Sequence, residues 1–387
     1  MPTIRKQGRR TTDYYKVGER DLSLISVIIP ILGEGIRYME PCLKSVFNST
    51  YRKTEVIIVS DDIDGVRELT EPVYGEKIQY VGTDVATLPN VRNIGIEHSR
   101  GDLIALMDVK DVTGRMRLEL EVLKLEANDK AGLAFCGMTN IDADGKFLQG
   151  VNIFKGFEQN KFPGLMYEKN RIDSVSTTLI KSEVIEKIGL FDEQLGLESE
   201  YDFWLRAVCE YQTEHLDLPL LRFRICGNGK TDDNEHELRI SEEKKLLLKH
   251  NVGDIAERVS RVYENEELFR MSLGCVLFRM DKKKEALKNF QKVISINEKN
   301  SDAYCLIGDY YLNAGKYSEA KSYYKETLCL NPNHTECKEK LDIVLVKEKE
   351  KCVSSSKKAG KFSVPYILCS VSSLGEKIVK SKSAVKV

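Results

Sequence analysis

No Cys-x-x-Cys pair occurs among the ten cysteines of this 387-residue chain. That absence removes the usual spacing of a zinc site, and cysteines scattered through apolar stretches do not read as a disulfide framework either. Net charge is lacking too, with 59 Lys and Arg against 60 Asp and Glu. The overall balance therefore gives no reason to expect nucleic acid or an anionic membrane as partner. No apolar run is long enough to span a bilayer, since the longest stretch near the C-terminus, "FSVPYILCSVSSL", is short and rich in serine. The N-terminus is basic and polar, without the apolar segment of a signal peptide. These absences lead to the expectation of a soluble, cytoplasmic protein. The length predicts two domains and some tail, and 42% hydrophobic residues suffice for real cores.

What is present begins with "LSLISVIIPIL" (22–32), a β-branched, nearly continuous apolar run that reads as a strand buried on both faces. Met39, Leu43, Val46 and Phe47 then recur at helical spacing, with Pro41 near the start. "TEVIIVSDD" (54–62), "KIQYVGT" and "DLIALMD" (102–108) are further strands, and "TLPNVRNIGIEHSRG" is a helix stopped by Gly101. Alternating strands and helices imply crossover connections and a largely parallel sheet. Ligands of such sheets bind at the carboxyl ends of the strands, where Asp61, Asp62, Asp108 and Asp111 fall. Further on, "DADG" (142–145) reads as a hairpin turn, and "STTLIKSEVIEKIGLFDEQL" as a strand followed by a helix capped by Ser182.

The second half has a different period. A shift of 34 residues superposes Leu273 on Ile307, Gly274 on Gly308, Ala286 on Ala320, Phe290 on Tyr324 and Asn297 on Asn331. This period, with the pattern "Y-x2-I-G-x2-Y…A-x3-Y…P" in the second copy, matches the tetratricopeptide repeat. Small Gly and Ala are expected where paired helices cross, with aromatics filling the gaps, and "TECKEKLDIVLVKEKEK" reads as a capping helix.

The phrases "SVIIPILGEG", "SVFNSTYRKTEVIIVSDD", "NVRNIGIEHSRGDLIALMD", "LIKSEVIEKIGLFDEQL", "ESEYDFWLR" and "PLLRFRI" follow one another over residues 24–232. In order and spacing they resemble a family 2 glycosyltransferase of the GT-A type. The resemblance implies an α/β nucleotide-diphospho-sugar transferase domain with a mixed, mostly parallel sheet, followed by an all-α tetratricopeptide repeat domain. The expected organisation is a basic tail (1–22), the transferase domain (23–240), a helical linker (241–266), repeats 267–300 and 301–334 with their cap to 350, and a basic, disordered tail (351–387).

The activity implied is transfer of a sugar from a nucleotide diphosphate donor, UDP-linked by preference, to an acceptor hydroxyl with inversion. Asp61, Asp62, Arg92, Asp108 and Lys110 then fall at donor-binding positions, the first two towards base and ribose. An acceptor hydroxyl needs a carboxylate to take its proton, and the position matching the family's base holds Glu200. The alternative for Glu200 is a solvated acid at a helix start, favoured by the helix dipole. Trp204, the only tryptophan, reads as core packing, and Asp202 and Arg206 as a pair on one helical face.

One departure matters. The family's Asp-x-Asp, which binds the ribose and a Mn2+ or Mg2+ ion, reads Asp108-Val109-Lys110 here, and Cys226 stands where relatives often place a metal-binding His. An ammonium among the ligands repels a divalent ion. Three readings stay open: Asp111 joins Asp108 in a weak metal site, Lys110 itself neutralises the diphosphate, or catalysis is lost and nucleotide binding retained. "GNGKTDDNEHELR" (227–239) reads as a loop that closes over the donor or as a linker. The repeats are expected to recruit a protein or peptide partner, an acceptor among them, or to support self-association. The competing function is a catalytically silent nucleotide-sugar-binding scaffold. A nucleotidyltransferase ranks third, because "ILGEGI" lacks a basic residue.

Overall fold

The computed structural model describes residues 22–85, 87–226 and 233–358. The basic tails fall largely outside these residues, as does the first part of the glycine-rich segment, 227–232.

Strands and helices alternate first, as β1 (Ile25–Ile31), α1 (Met39–Phe47), β2 (Thr54–Ser60), α2 (Ile63–Tyr74), β3 (Ile78–Gly82), α3 (Leu88–Glu97) and β4 (Leu103–Leu106). After them come β5 (Val112–Thr113), α4 (Arg117–Glu126), β6 (Ala131–Ile141), β7 (Phe147–Asn152), α5 (Phe162–Glu168), β8 (Thr178–Lys181), α6 (Ser182–Ile188), α7 (Ser199–Glu210) and β9 (Gln212–Arg224). The rest is helical: α8 (Asp233–Leu248), α9 (Val252–Ser260), α10 (Glu266–Arg279), α11 (Lys283–Ile296), α12 (Ser301–Asn313), α13 (Tyr317–Leu330) and α14 (Thr335–Lys358).

Among the described residues one mixed sheet runs in the order β3-β2-β1-β4-β8-β6-β9-β5, with β7 paired to β6. Strands β1 to β4 are mutually parallel, and β8 enters antiparallel between β4 and β6. Every residue of β1 is buried. That explains its nearly continuous apolar sequence, because helices cover both faces of a parallel sheet. The register Ile31↔Ser60 and Ile28↔Leu106 brings the carboxyl ends of β1, β2 and β4 to one edge. The Asp142–Gly145 turn joins β6 to β7 as a hairpin, with Gly145 at φ 83°.

Three local expectations differ from the fold. Helix α3 ends at Glu97, before Gly101. Gly101 serves instead as a close approach to β1, since a Cβ there would lie 2.6 Å from the Ser26 nitrogen. Ser182 does not cap α6: it is the first helical residue, and its N–H donates to the Asp102 carbonyl at 2.9 Å. Residues 233–239, expected as a loop, open α8, in keeping with their helix-forming Glu and Leu content.

Two compact units divide at Lys299/Asn300, between the two repeat copies. In the first unit α10 and α11 form the first repeat. Arg279 of α10 donates to the Glu168 and Tyr167 carbonyls of α5 and pairs with Glu243 of α8 at 3.0 Å. In the second unit α12, α13 and α14 enclose their own core of Cys305, Ala320, Tyr324, Cys337 and Val344. Among the described residues no helix is long and apolar enough to cross a membrane.

The repeat glycines have a steric reason. A Cβ on Gly274 would meet Phe290, and one on Gly308 would meet Tyr324, each at 2.5 Å. Tyr324 has no room to retreat, being fully buried with its hydroxyl donating to Asp309 Oδ1 at 2.7 Å. Gly308→Ala is therefore expected to destabilise the second unit by ~1–2 kcal/mol, overpacking outweighing the gain in helix propensity. A thermal melt followed by circular dichroism reads this directly, and an unshifted helical transition would contradict the packing argument.

Candidate active site

After β4 the chain leaves the sheet and turns tightly. The Asp108 N–H donates to Ser176 Oγ at 2.8 Å, Asp108 Oδ1 accepts the Lys110 N–H at 3.0 Å, and the Asp111 N–H returns to the Asp108 carbonyl at 3.0 Å. A short side chain bonding backbone two residues on is the usual stabiliser of such a turn. The 3-10 segment Gly33–Tyr38 lies against it, and a Cβ on Gly35 would stand 2.9 Å from Val109 Cγ1. Only glycine permits this approach without displacing Val109.

Arg224, at the end of β9, fastens the turn from the other side. Its N–H donates to Asp111 Oδ1 at 3.0 Å and its Nε to the Lys110 carbonyl at 2.8 Å. Its Nη1 reaches the carbonyls of Asp142 and Ala143, each at 2.9 Å. Asp111 is consequently drawn into the interior, at 1% exposure, while the Lys110 side chain remains exposed.

Between the turn, the end of β1 and the start of α3 lies a cleft of about 210 Å3, walled by Pro30, Leu32 and Leu88 and carrying the polar groups of Arg92, Asp108 and Lys110. Arg92 comes from α3 and is 3% exposed. Its Nη1 pairs with Glu200 Oε1 at 2.8 Å, from the first turn of α7, and the Glu200 side chain keeps 27% of its surface in solvent. Two buried polar contacts fix these partners. Asn93 exchanges hydrogen bonds with the Phe191 backbone at 2.9 and 3.0 Å, tying α3 to the segment before α7. Asp202, fully buried, accepts from Arg206 Nε and Lys249 Nζ, each at 2.8 Å. Trp204 is fully buried in the core.

The fold thus gathers Arg92, Asp108, Lys110 and, through Arg92, Glu200. The remaining residues singled out in the sequence lie elsewhere. Asp62 caps α2, accepting the Gly65 N–H at 3.2 Å, and Asp61 stands exposed beside it at the end of β2. Cys226 donates its thiol to the Tyr38 hydroxyl at 3.4 Å. Arg224 received no role from the sequence, where "RFRI" marked only a likeness. Its signal was an arginine alternating with apolar residues along a strand.

The donor set does not suit a divalent ion. Such an ion needs several oxygen ligands, yet Asp108 is the one carboxylate lining the cleft, with Lys110 beside it. Among the described residues no group of three His, Cys, Asp or Glu side chains is placed to hold a metal. Burial, with the Asp108 charge adding to it, pushes the Asp111 carboxyl up to about 7, against the pull of Arg224 and Ser176. Below that pH Asp111 meets its lack of solvent with a proton rather than a cation.

A mixed sheet with a polar cleft at its carboxyl edge, followed by paired helices, is an α/β domain of the kind the resemblance implies, joined to helical repeats. Residues 26–189 match the model of glycosyl transferase family 2, and residues 269–300 and 289–322 match tetratricopeptide repeat models. The chain is 28% identical over 222 residues to an uncharacterized glycosyltransferase of Methanocaldococcus jannaschii, covering 54% of this chain and 73% of that protein. It is 29% identical over 188 residues to one of Rickettsia prowazekii, covering 47% and 58%. An O-antigen biosynthesis glycosyltransferase of Escherichia coli is 26% identical over 216 residues, covering 53% and 81%. The crystal structure of S. aureus TarS superposes with a TM-score of 0.50 and 13% identity, over 78% of this chain and 54% of that one. The chain thus spans little more than half of some of these proteins. Over residues 26–189 the chain carries a domain matching glycosyl transferase family 2, in a GT-A fold, with tetratricopeptide repeats following it.

The buried Asp111 gives a pH signature. From its ordinary 3.8 up to about 7, the folded chain holds a proton that the unfolded chain has released. Each step up in pH across that window costs stability, and the loss is complete once the folded carboxyl ionises. Asp111→Asn keeps the acceptor for the Arg224 N–H and removes this titration. The variant should show a smaller fall in Tm between about pH 5 and about pH 8 than the parent. Parallel Tm profiles would contradict the assignment.

Proposed function

We propose that the chain transfers a sugar from a nucleotide diphosphate donor, with UDP-sugars first among the candidates, to an acceptor hydroxyl with inversion. The observation that carries this reading is the partly exposed Glu200 carboxylate, held by α7 beside the cleft through its 2.8 Å contact with Arg92. In the proposed reaction Glu200 takes the acceptor proton as the acceptor oxygen bonds the anomeric carbon. The bond from that carbon to the diphosphate breaks on the opposite face, and the nucleoside diphosphate leaves with the electron pair. Asp61 is the candidate for contact with the nucleoside, since Asp62 is engaged in capping α2. For the repeats we propose a protein or peptide partner, an acceptor protein included, with self-association as the alternative. Cytoplasmic residence is part of the same reading.

A second reading is favoured by one observation, the Asp108-Val109-Lys110 triplet with Asp111 withdrawn from the cleft. On that reading the domain binds a nucleotide sugar without transferring it. A donor-hydrolysis assay with UDP-sugars separates the two.

For the leading reading, Glu200→Gln should lower transfer by at least ~100-fold, the ordinary contribution of a general base. UDP should still bind at least as tightly as to the parent, because Glu200 makes no contact with the diphosphate in this scheme. Steady-state kinetics and calorimetry read the two quantities, and retained transfer would falsify the assignment of the base.

A further inference from the structure

We propose that the donor diphosphate is held without a divalent ion, between Lys110 and Arg92, and that its arrival takes Arg92 away from Glu200. The proposal rests on the glycosyltransferase reading above and adds the way in which the phosphates are bound.

The first argument is charge. Each phosphate of a nucleotide sugar carries one negative charge, and the cleft wall offers two cations, Arg92 and Lys110. The Lys110 ammonium has no ion-pair partner among the described residues, although its own N–H is held by Asp108 Oδ1 and its carbonyl by Arg224. An exposed cation on an immobilised backbone is prepared for a ligand rather than for a neighbour. The carboxylates that would recruit a metal are otherwise placed. Asp108 Oδ1 accepts the Lys110 N–H, and Asp111 lies behind the turn on Arg224.

The second argument concerns Arg92. A buried guanidinium left without an anion is strongly unfavourable, and in this structure Glu200 supplies that anion. The two members of the pair differ in solvation, with 4% of the Arg92 side chain exposed against 27% of Glu200. When a diphosphate enters, Arg92 exchanges one anion for another in place, and Glu200 is the partner able to return to water. Arginine binds phosphate oxygens through paired N–H donors, which a single 2.8 Å contact to Glu200 does not use in full. The exchange also frees Oε1 of Glu200, the oxygen occupied by the guanidinium, to accept a proton from the acceptor. Donor binding would thereby precede productive acceptor binding.

The test is calorimetric titration of the full chain with UDP, and with ADP, GDP and TDP in parallel, first in EDTA and then with Mn2+. Expected is a Kd for one of these diphosphates that changes less than about twofold on adding Mn2+. Lys110→Ala should weaken it at least about tenfold, the scale of one charge-assisted contact, with Lys110→Arg restoring most of the loss. Uridine, or the matching nucleoside, should bind parent and Lys110→Ala alike. Glu200→Gln should tighten the diphosphate several-fold, since Arg92 then has no competing anion, whereas a merely structural ion pair would give unchanged or weaker binding. Binding seen only with Mn2+, or unaffected by Lys110→Ala, would overturn the proposal and leave the glycosyltransferase reading standing. No binding of any of the four, with or without Mn2+, would overturn both.

Discussion

Arg224 ties three separated stretches of chain to one another, and the geometry of the cleft follows from that. Through its N–H and guanidinium it holds the Asp111 carboxylate, the Lys110 carbonyl and the carbonyls of the Asp142–Ala143 turn, all from a position 7% exposed. Its guanidinium also lies 4.8 Å from the Tyr38 ring centre, over the segment that packs on Val109. Buried carbonyls and carboxylates that lose a donor carry their full desolvation cost, so these contacts fix the turn after β4 in one form. That form sends Asp111 inward and leaves Lys110 outward, which decides what kind of charge the cleft presents.

The other walls are secured in the same manner, by polar contacts made in the interior. Asn93 joins α3 to the backbone at Phe191, and the buried Asp202 is held by Arg206 on its own helix and by Lys249 after α8. Each arrangement satisfies its buried groups, as interior polar networks must to rigidify a fold. The helix start that carries Glu200 and the helix that carries Arg92 are therefore both anchored one layer below the cleft. Their 2.8 Å contact joins two fixed elements.

How far the sequence could be read follows from the range of each interaction. Strand β1, the helix carrying Met39 to Phe47 and the 34-residue period were legible because burial on both faces, helical spacing and repetition leave local marks. The glycines at 274 and 308 were legible for the same reason, as small residues opposite an aromatic. The gathering of Asp108 and Lys110 at a strand end followed from the topology of parallel sheets. What sequence could not give were contacts between distant positions: Arg92 with Glu200, Arg224 with the Asp111 turn, Gly101 against Ser26. The Ser182 cap failed on the same ground, since Ser182 stands one residue inside the helix, where its own N–H is taken by the Asp102 carbonyl just before β4.

The Asp-x-Lys triplet gains a different sense once the turn is seen as fixed. In a flexible loop, losing one acid could be repaired by the next, and Asp111 stands nearby in sequence to do so. Here that repair would require Asp111 to leave the Arg224 N–H and a position in which burial already favours its protonated form. Both changes cost free energy, and a lysine at the mouth of the cleft would oppose the incoming ion. Lys110 faces no such opposition from a diphosphate, and neither does Arg92, which must hold an anion in any state of the protein because it is buried. The substitution that removes one half of a metal site thus leaves a cleft whose two cations match the two phosphates, with the Glu200 carboxylate occupying one of them until they arrive.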